Sequence, residues 1–155
     1  MKALTQLIDA ALKKILVWLM ALMVIVVTWQ VITRYVLNSP SSYTEELSTY
    51  LLIWISLLGA AWALRNRAHL GIDIFTRKLE GRAKTVSQLI IYSAVIAFAV
   101  IVFVYGGSRL VYTTLYLNQL SAAFKVPVGY VYTVIPISGM LMIYYAIDAL
   151  VYPED

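Results

Sequence analysis

The fold is decided by an uncharged stretch, ILVWLMALMVIVVTWQVIT, which runs from Ile15 to Thr33. Three further stretches without Asp, Glu, Lys, Arg or His follow it, from Leu47 to Leu64, Thr85 to Ser108 and Val126 to Ile147. A helix needs about 20 apolar residues to cross the hydrocarbon layer, where lipid offers the backbone no hydrogen-bond partner. The sequence therefore predicts an all-α membrane protein with four transmembrane helices.

The predicted helices cover about residues 15–37, 44–64, 85–117 and 128–150, within a single four-helix membrane domain of residues 1–155. Composition agrees, because 62% of residues are hydrophobic and 13% are charged, whereas soluble domains carry about 25% charged residues. The first stretch contains Thr28, Trp29 and Gln30 instead of a small-residue cleavage site. We therefore expect it to be retained and not removed as a signal peptide.

Basic residues are distributed unevenly among the segments that flank the predicted helices. The N-terminal tail carries three lysines and the second connection is rich in Lys and Arg, whereas the first connection carries neither and the third carries only Lys125. Short loops rich in Lys and Arg stay in the cytoplasm, so both termini are expected to be cytoplasmic. The net charge of +4 then reflects this asymmetry and contact with anionic membrane lipids, and it gives no reason to expect nucleic-acid binding.

Two amphipathic segments adjoin the transmembrane stretches. Between the second and third stretches, Ile72, Phe75 and Leu79 form an apolar stripe, which predicts a short helix over about residues 72–80 in the plane of the membrane interface. In the N-terminal tail, apolar residues such as Leu7 recur at helical spacing, with Thr5 and Asp9 on the opposite, polar side.

The third and fourth predicted helices contain residues that disturb a regular helix. The third is longer than a span requires, so it must tilt or protrude, and Gly106 and Gly107 could permit a bend or a close helix contact. In the fourth, Pro136 removes one backbone donor, which predicts a kink.

Small residues of the second helix favour close helix packing. Ser56 and Ala60, and likewise Gly59 and Ala63, are four residues apart and share a face on which another backbone can approach. The face could pack within the four-helix unit or against another subunit, and the sequence alone leaves both open.

Charged residues near the helix ends are the candidate site residues. Ser42 and Glu45 fit an S-x-x-E capping box, and Glu46 lies near the positive end of the helix dipole. Arg34 could pair with Glu45 or Glu46 across the first connection, or extend towards the lipid head groups. A structural ion pair is the favoured interpretation.

Two further charges lie near the ends of the third and fourth helices. Arg109 resembles Arg34 in its position near an outer helix end, whereas Asp148 lies on the basic side of the protein. A Lys or Arg of the second connection could therefore neutralise Asp148.

The same sequence disfavours catalysis and unaided transport. It has no cysteine and only one histidine, His69, so disulfides, iron–sulfur clusters and a bis-histidine haem are excluded, and we expect no cofactor, metal site or enzyme activity. Transporters usually place ionisable groups near mid-membrane, and none is found there. The residues thus predict a scaffold or accessory subunit; a stand-alone multidrug exporter and an assembly factor without a transport role are the alternatives.

A set of motifs in the first half of the chain carries a family resemblance. In order, they are Arg34-Tyr35, Thr44-Glu45-Glu46-Leu47, Trp54, Gly59-Ala60-Ala61, Arg65 and His69-Leu70-Gly71-Ile72-Asp73. This ordered set resembles the small membrane subunit, of the DctQ type, of tripartite ATP-independent periplasmic (TRAP) transporters. Tyr43, where a Trp is expected, and Leu70, where Ile or Val is usual, depart mildly from the family pattern.

The resemblance implies a role in a bacterial inner membrane. A large elevator-type subunit would carry an organic acid with sodium, and a periplasmic substrate-binding protein would deliver it. This chain would scaffold the large subunit and help dock the binding protein, with the sialic acid branch the most similar. By position, Arg34, Glu45 and Glu46 would brace the periplasmic corner, while Arg65, His69 and Asp73 would order the cytoplasmic connection.

Overall fold

A computed structural model describes residues 2–66 and 82–151 of the 155 residues, with side chains described for residues 5–66 and 86–151. The predicted interfacial helix at about 72–80, with Ile72, Phe75 and Leu79, lies outside these residues, as do His69 and Asp73.

The described residues form six α-helices, one π-helical segment and the loops that connect some of them. They are α1 (Lys2–Tyr35), α2 (Ser42–Arg65), α3 (Arg82–Phe98), the π-helical segment (Ala99–Gly106), α4 (Gly107–Tyr116), α5 (Gly129–Tyr132) and α6 (Val134–Val151). Four parts are long and apolar enough to cross a membrane, and we call them the first to fourth spans: Thr5–Tyr35, Ser42–Arg65, Val86–Tyr116 and Gly129–Val151. The prediction of an all-α protein with four membrane-spanning helices is confirmed.

The extensive helix contacts of the described residues place the spans in a row. α1 packs against α2, α2 packs against α6, and α6 packs against α3, the π-helical segment and α4. In the most apolar 18-residue segment of each span, the buried share of residues is 22% in the second span and 28% in the fourth. It is 6% in both the first and the third. The second and fourth spans are therefore central, and the first and third form the two edges.

The main core lies where α1, α2 and α6 meet. Its buried residues are Leu12, Leu58, Leu64, Val134, Tyr145 and Ala146. Lipid tails are as apolar as leucine, so burial of apolar side chains alone does not drive membrane helices together. Dense van der Waals contact among these buried side chains is instead a main source of helix association.

Glycines let the third and fourth spans approach each other closely. A Cβ atom added to Gly107 would lie 2.7 Å from Ile135 Cγ2, and one added to Gly139 would lie 2.5 Å from Phe103 Cβ. Real Cβ atoms do not approach neighbours this closely, so a larger residue at either position would push the two spans apart. The prediction of a close helix contact in this region of the third span is confirmed at Gly107.

Both spans also depart from a regular α-helix. Residues Ala99–Gly106 are π-helical, which the sequence did not indicate. In the fourth span the interruption falls at Thr133, between α5 and α6, and not at Pro136. Pro136 lies in the first turn of α6, where a residue without a backbone N–H is tolerated because that N–H has no helical acceptor.

Candidate functional site

Three helices are joined at one end of the molecule by a charged group that we call the Arg65 cluster: Asp9, Arg65, Tyr145 and Asp148. Arg65 Nε lies 3.1 Å from Asp9 Oδ2, and Arg65 Nη1 lies 3.7 Å from Asp148 Oδ2. The hydroxyl of Tyr145 donates to Asp9 Oδ1 at 2.9 Å. The prediction that a Lys or Arg of the second connection neutralises Asp148 is confirmed, because Arg65 forms this ion pair. Because the cluster is partly buried, its ion pairs are screened less than pairs in open water.

The role of Asp9 in this cluster was missed from the sequence. The helical pattern placed Thr5 and Asp9 on a solvated side of the tail, but Thr5 is buried and hydrogen-bonds to the Tyr144 hydroxyl at 2.8 Å, whereas Leu7 is 68% exposed. The prediction is wrong at Thr5, Leu7 and Asp9, because apolar side chains of a membrane helix can face lipid while polar ones need protein partners; it holds at Ile8 and Leu12, which pack in the core. One signal was available: Asp9 is the only acidic residue before Glu45.

A loop is fastened to the start of α2 at the opposite end, in a group that we call the Glu46 corner: Glu46, Tyr50, Ala122 and Ala123. The Ala123 N–H donates to Glu46 Oε2 at 2.7 Å, and the Ala122 N–H donates to Glu46 Oε1 at 3.2 Å. The Tyr50 hydroxyl also donates to Glu46 Oε1. One carboxylate thus satisfies two backbone donors of the third connection, and hydrogen bonds to a charged acceptor are the stronger kind.

The third connection is itself ordered by backbone hydrogen bonds. Ser121 N–H donates to the Val126 carbonyl at 2.9 Å, and Val128 N–H donates to the Gln119 carbonyl at 2.9 Å. Lys125 has a φ of 57°, a conformation that a residue with a side chain adopts infrequently. We call this hairpin-like segment, residues 118–128, the third loop.

The predicted capping box at the start of α2 is not formed. The N-cap residue is Ser41, with φ −100° and ψ 112°, and it makes no side-chain capping hydrogen bond. A capping box requires its Ser or Thr at the N-cap, but Ser42 is the first helical residue, one position after the N-cap. The carboxylate of Glu46, next to the predicted Glu45, binds backbone donors of the third loop instead.

The expected ion pair between Arg34 and Glu45 or Glu46 is also not seen among the described residues. Arg34 and Glu45 are both exposed, and the Glu46 carboxylate is occupied by Tyr50 and the third loop. Arg109 is likewise exposed and makes no ion pair within the described parts of the chain. These three charged side chains are therefore available to groups outside this fold.

Trp54 connects the two central spans. Its indole N–H donates to the Val131 carbonyl at 3.1 Å, just before the interruption at Thr133. Without this donor, a backbone acceptor near the break would lack a partner in an apolar setting, which costs free energy. Trp54 thus supports the irregular start of the fourth span.

The small-residue face of α2 is largely uncovered by the described helices. A Cβ atom added to Gly59 would meet nothing within 4 Å, and Ser56 is exposed. Ala60 and Ala63 are half-buried, whereas their neighbour Ala61 is fully buried against the protein.

The chemistry of these groups is structural. Within residues 2–66 and 82–151, no group of three or more His, Cys, Asp or Glu residues could hold a metal ion. In the same residues, no buried side-chain nitrogen or oxygen lacks a hydrogen-bond partner. The charged groups hold helices and a loop in place, and the remaining exposed charges lie near the helix ends.

Four apolar spans with charged residues near their ends are typical of a multi-pass membrane protein, and comparison with known proteins identifies its class. Residues 23–153 match the family described as "Tripartite ATP-independent periplasmic transporters, DctQ component". The chain belongs to this family and is a small permease subunit of a TRAP transporter in the bacterial inner membrane. DctQ proteins are transporter subunits and not enzymes, and the resemblance noted from the motifs is confirmed.

Individual relatives agree with the family assignment. A Haemophilus influenzae protein assigned as a TRAP transporter small permease is 30% identical over 142 residues, 92% of this chain and 86% of that protein. The sialic acid TRAP transporter small permease protein SiaQ of Vibrio cholerae is 38% identical over 84 residues, 54% of this chain and 49% of SiaQ. The isethionate TRAP transporter permease protein DctMQ of Oleidesulfovibrio alaskensis is 30% identical, over 84% of this chain and 21% of DctMQ.

Proposed function

We propose that this subunit scaffolds a large elevator-type TRAP membrane subunit and helps a periplasmic substrate-binding protein to dock, during sodium-coupled uptake of an organic acid. The match to DctMQ carries the first part of the proposal. Most of this chain aligns with about a fifth of a longer permease protein, which suggests that a small and a large permease component act as one unit. The chain would act as a single four-helix domain, residues 1–155.

The exposure of the edge spans supports a large membrane partner. Trp18, Val24 and Ile25 of the first span and Ile90 and Ile101 of the third are each more than 60% exposed. Either edge could pack against lipid or against another membrane subunit, and the small-residue face around Gly59 offers a further close approach.

The proposed orientation places the Arg65 cluster on the cytoplasmic side and the Glu46 corner on the periplasmic side. It rests on the excess of Lys and Arg in the N-terminal tail and the second connection. Arg34, Glu45 and Arg109 would then be exposed at or near the periplasmic end, where they could contact the large subunit or the binding protein. His69 and Asp73 would contribute to the cytoplasmic connection together with Arg65.

Sialic acid is the substrate that we propose to test first. SiaQ has the highest identity of the relatives above, but over only about half of each chain, and C4-dicarboxylate small permeases of Rhodobacter capsulatus and Vibrio cholerae also match at 26% and 21% identity. Since the charges of the described residues lie near the helix ends, substrate selection is assigned to the other components.

Co-purification with a tagged large subunit tests the scaffold role. We expect Arg34→Ala, and separately Glu45→Ala, to lower the recovered amount of this chain severalfold, while the amount inserted in the membrane stays the same. Lys14→Ala is the matched control, because Lys14 is also an exposed charge but lies towards the other end of α1. Recovery of both variants at the wild-type level would contradict the proposed contact.

Uptake in proteoliposomes tests the transport role. The large subunit, this chain and the binding protein should together accumulate labelled sialic acid when a sodium gradient is imposed, and omission of this chain from the reconstitution should abolish accumulation. If this chain is removed from an already assembled transporter and uptake stays complete, the chain is an assembly factor instead. Uptake or efflux by this chain alone would support the exporter alternative.

A further inference from the structure

A groove lies between the first and second spans, near the Arg65 cluster. It has a volume of about 330 Å³ and is lined by Lys13, Leu16, Val17 and Met20 of α1 and Trp62 of α2. Apart from Lys13, the lining is apolar or aromatic. Because Lys13 precedes the other α1 residues along the helix, it lies at the end of the groove nearest Asp9.

The position of Lys13 places this end of the groove at the level of the lipid head groups. Charged residues avoid the hydrocarbon layer, so the Arg65 cluster marks the membrane interface. Lys13 is four residues beyond Asp9, about 6 Å along the helix, and a lysine at this depth extends its ammonium group back towards the interface. Trp62, three residues before Arg65, is of a type enriched at the same level.

Among the described residues, the charges around Lys13 leave its ammonium group available to an anion. Asp9 is bound by Arg65 and Tyr145, and Asp148 is bound by Arg65. Within the parts of the chain that the structure describes, no carboxylate pairs with Lys13. A cation at the head of an apolar groove in a membrane matches the chemistry of a phosphate attached to an acyl chain.

We propose that this groove binds one anionic phospholipid. Its phosphate contacts the Lys13 ammonium group, and one acyl chain lies along Leu16, Val17, Met20 and Trp62. The lipid fills the space between α1, an edge helix, and α2, and so adds contact where the protein itself buries little of the first span. This site does not depend on the proposed function, since it uses only residues of this chain.

Native mass spectrometry of the full chain in detergent tests the head-group contact. The protein is titrated with phosphatidylglycerol and, separately, with phosphatidylcholine of the same acyl chains. A lysine near the membrane surface contributes about 1 kcal/mol towards anionic lipid, which corresponds to a preference of about fivefold. We expect wild-type protein to retain one phosphatidylglycerol with this preference, and Lys13→Gln to reduce its retention to the phosphatidylcholine level.

Lys14→Gln is the matched control, because Lys14 is adjacent in sequence but points about 100° away around the helix and does not line the groove. It should keep the preference. Val17→Trp, which narrows the groove, should lower retention of both lipids. Equal retention of the two lipids by wild type, or equal losses in Lys13→Gln and Lys14→Gln, would overturn the proposal.

The same measurement on the complex with the large subunit separates a lipid from a protein occupant. Loss of one phosphatidylglycerol per complex in Lys13→Gln, with unchanged complex yield, supports the proposal. A lower complex yield in Val17→Trp without any change in bound lipid would show that the large subunit occupies the groove, and would overturn it.

Discussion

The two ends of the molecule are fixed by different interactions. The Arg65 cluster joins α1, α2 and α6, because Arg65 pairs with Asp9, 56 residues earlier in the sequence, and with Asp148, 83 residues later. The Glu46 corner uses one carboxylate to hold backbone N–H groups of the third loop. The comparison suggests that the first end determines how the helices are arranged, whereas the second determines the shape of an exposed loop.

The largest effect is expected from Arg65→Ala, because it leaves the carboxylates of Asp9 and Asp148 without their cation. Loss of one partner of a buried pair costs about 3–5 kcal/mol, and partial exposure of this cluster reduces that to about 2–3 kcal/mol. The midpoint of thermal unfolding in detergent should fall by several degrees. Adding Asp9→Asn and Asp148→Asn should restore part of the loss. A midpoint unchanged from that of the control Lys14→Ala would contradict a role of the cluster in helix arrangement.

A smaller and more local effect is expected from Glu46→Ala. The substitution removes the acceptor of the Ala122 and Ala123 N–H groups, at a cost of about 1–2 kcal/mol, since hydrogen bonds to charged groups contribute somewhat more than neutral ones. Hydrogen exchange should become faster at these two amides, and the midpoint of unfolding should fall by less than in Arg65→Ala. Glu45→Ala, at an adjacent exposed position, is the control and should leave both amides protected. Equal exchange in both variants would mean that Glu46 does not order the loop.

The smallest effect is expected from Tyr145→Phe, which removes only the hydroxyl that donates to Asp9. Hydrogen bonds between membrane helices contribute about 0.6 kcal/mol on average, so the expected loss of stability is of this size. Tyr105→Phe, on an exposed ring of the third span, should cost nothing measurable. In a double-mutant cycle, Tyr145→Phe should have no effect in an Asp9→Ala background, because alanine has no side-chain acceptor for the Tyr145 hydroxyl. If Tyr145→Phe lowers the stability by the same amount in that background as in the wild type, Tyr145 does not act through Asp9.

Much of this fold could be predicted from the sequence because the hydrocarbon layer imposes a length and a polarity on each span. The uncharged stretches indicated four membrane helices, and Arg65 lies where the charge pattern predicted a partner for Asp148. Trp54 was part of the motif set that identified the family, although its hydrogen bond to Val131 could not be foreseen.

The remaining features depend on which helices are neighbours, and no local pattern contains that information. Thr5 and Asp9 of the first helix were assigned to the wrong face, because they are polar but bind Tyr144 and Arg65 across the fold. The ion pair expected for Arg34 failed for a related reason, since Glu46 finds better donors in a loop about 76 residues away.

The central position of the fourth span has a consequence for biosynthesis. This span packs against α2 and the third span, yet it follows the other three spans in chain order and so emerges from the ribosome after them. The hairpin of the first two helices can form early, but the third span must wait in the bilayer, with Phe103 and Gly107 unmatched, until Gly139 and Ile135 are inserted. Chains that stall during translation before this point would lack the helix that connects the second span to the third.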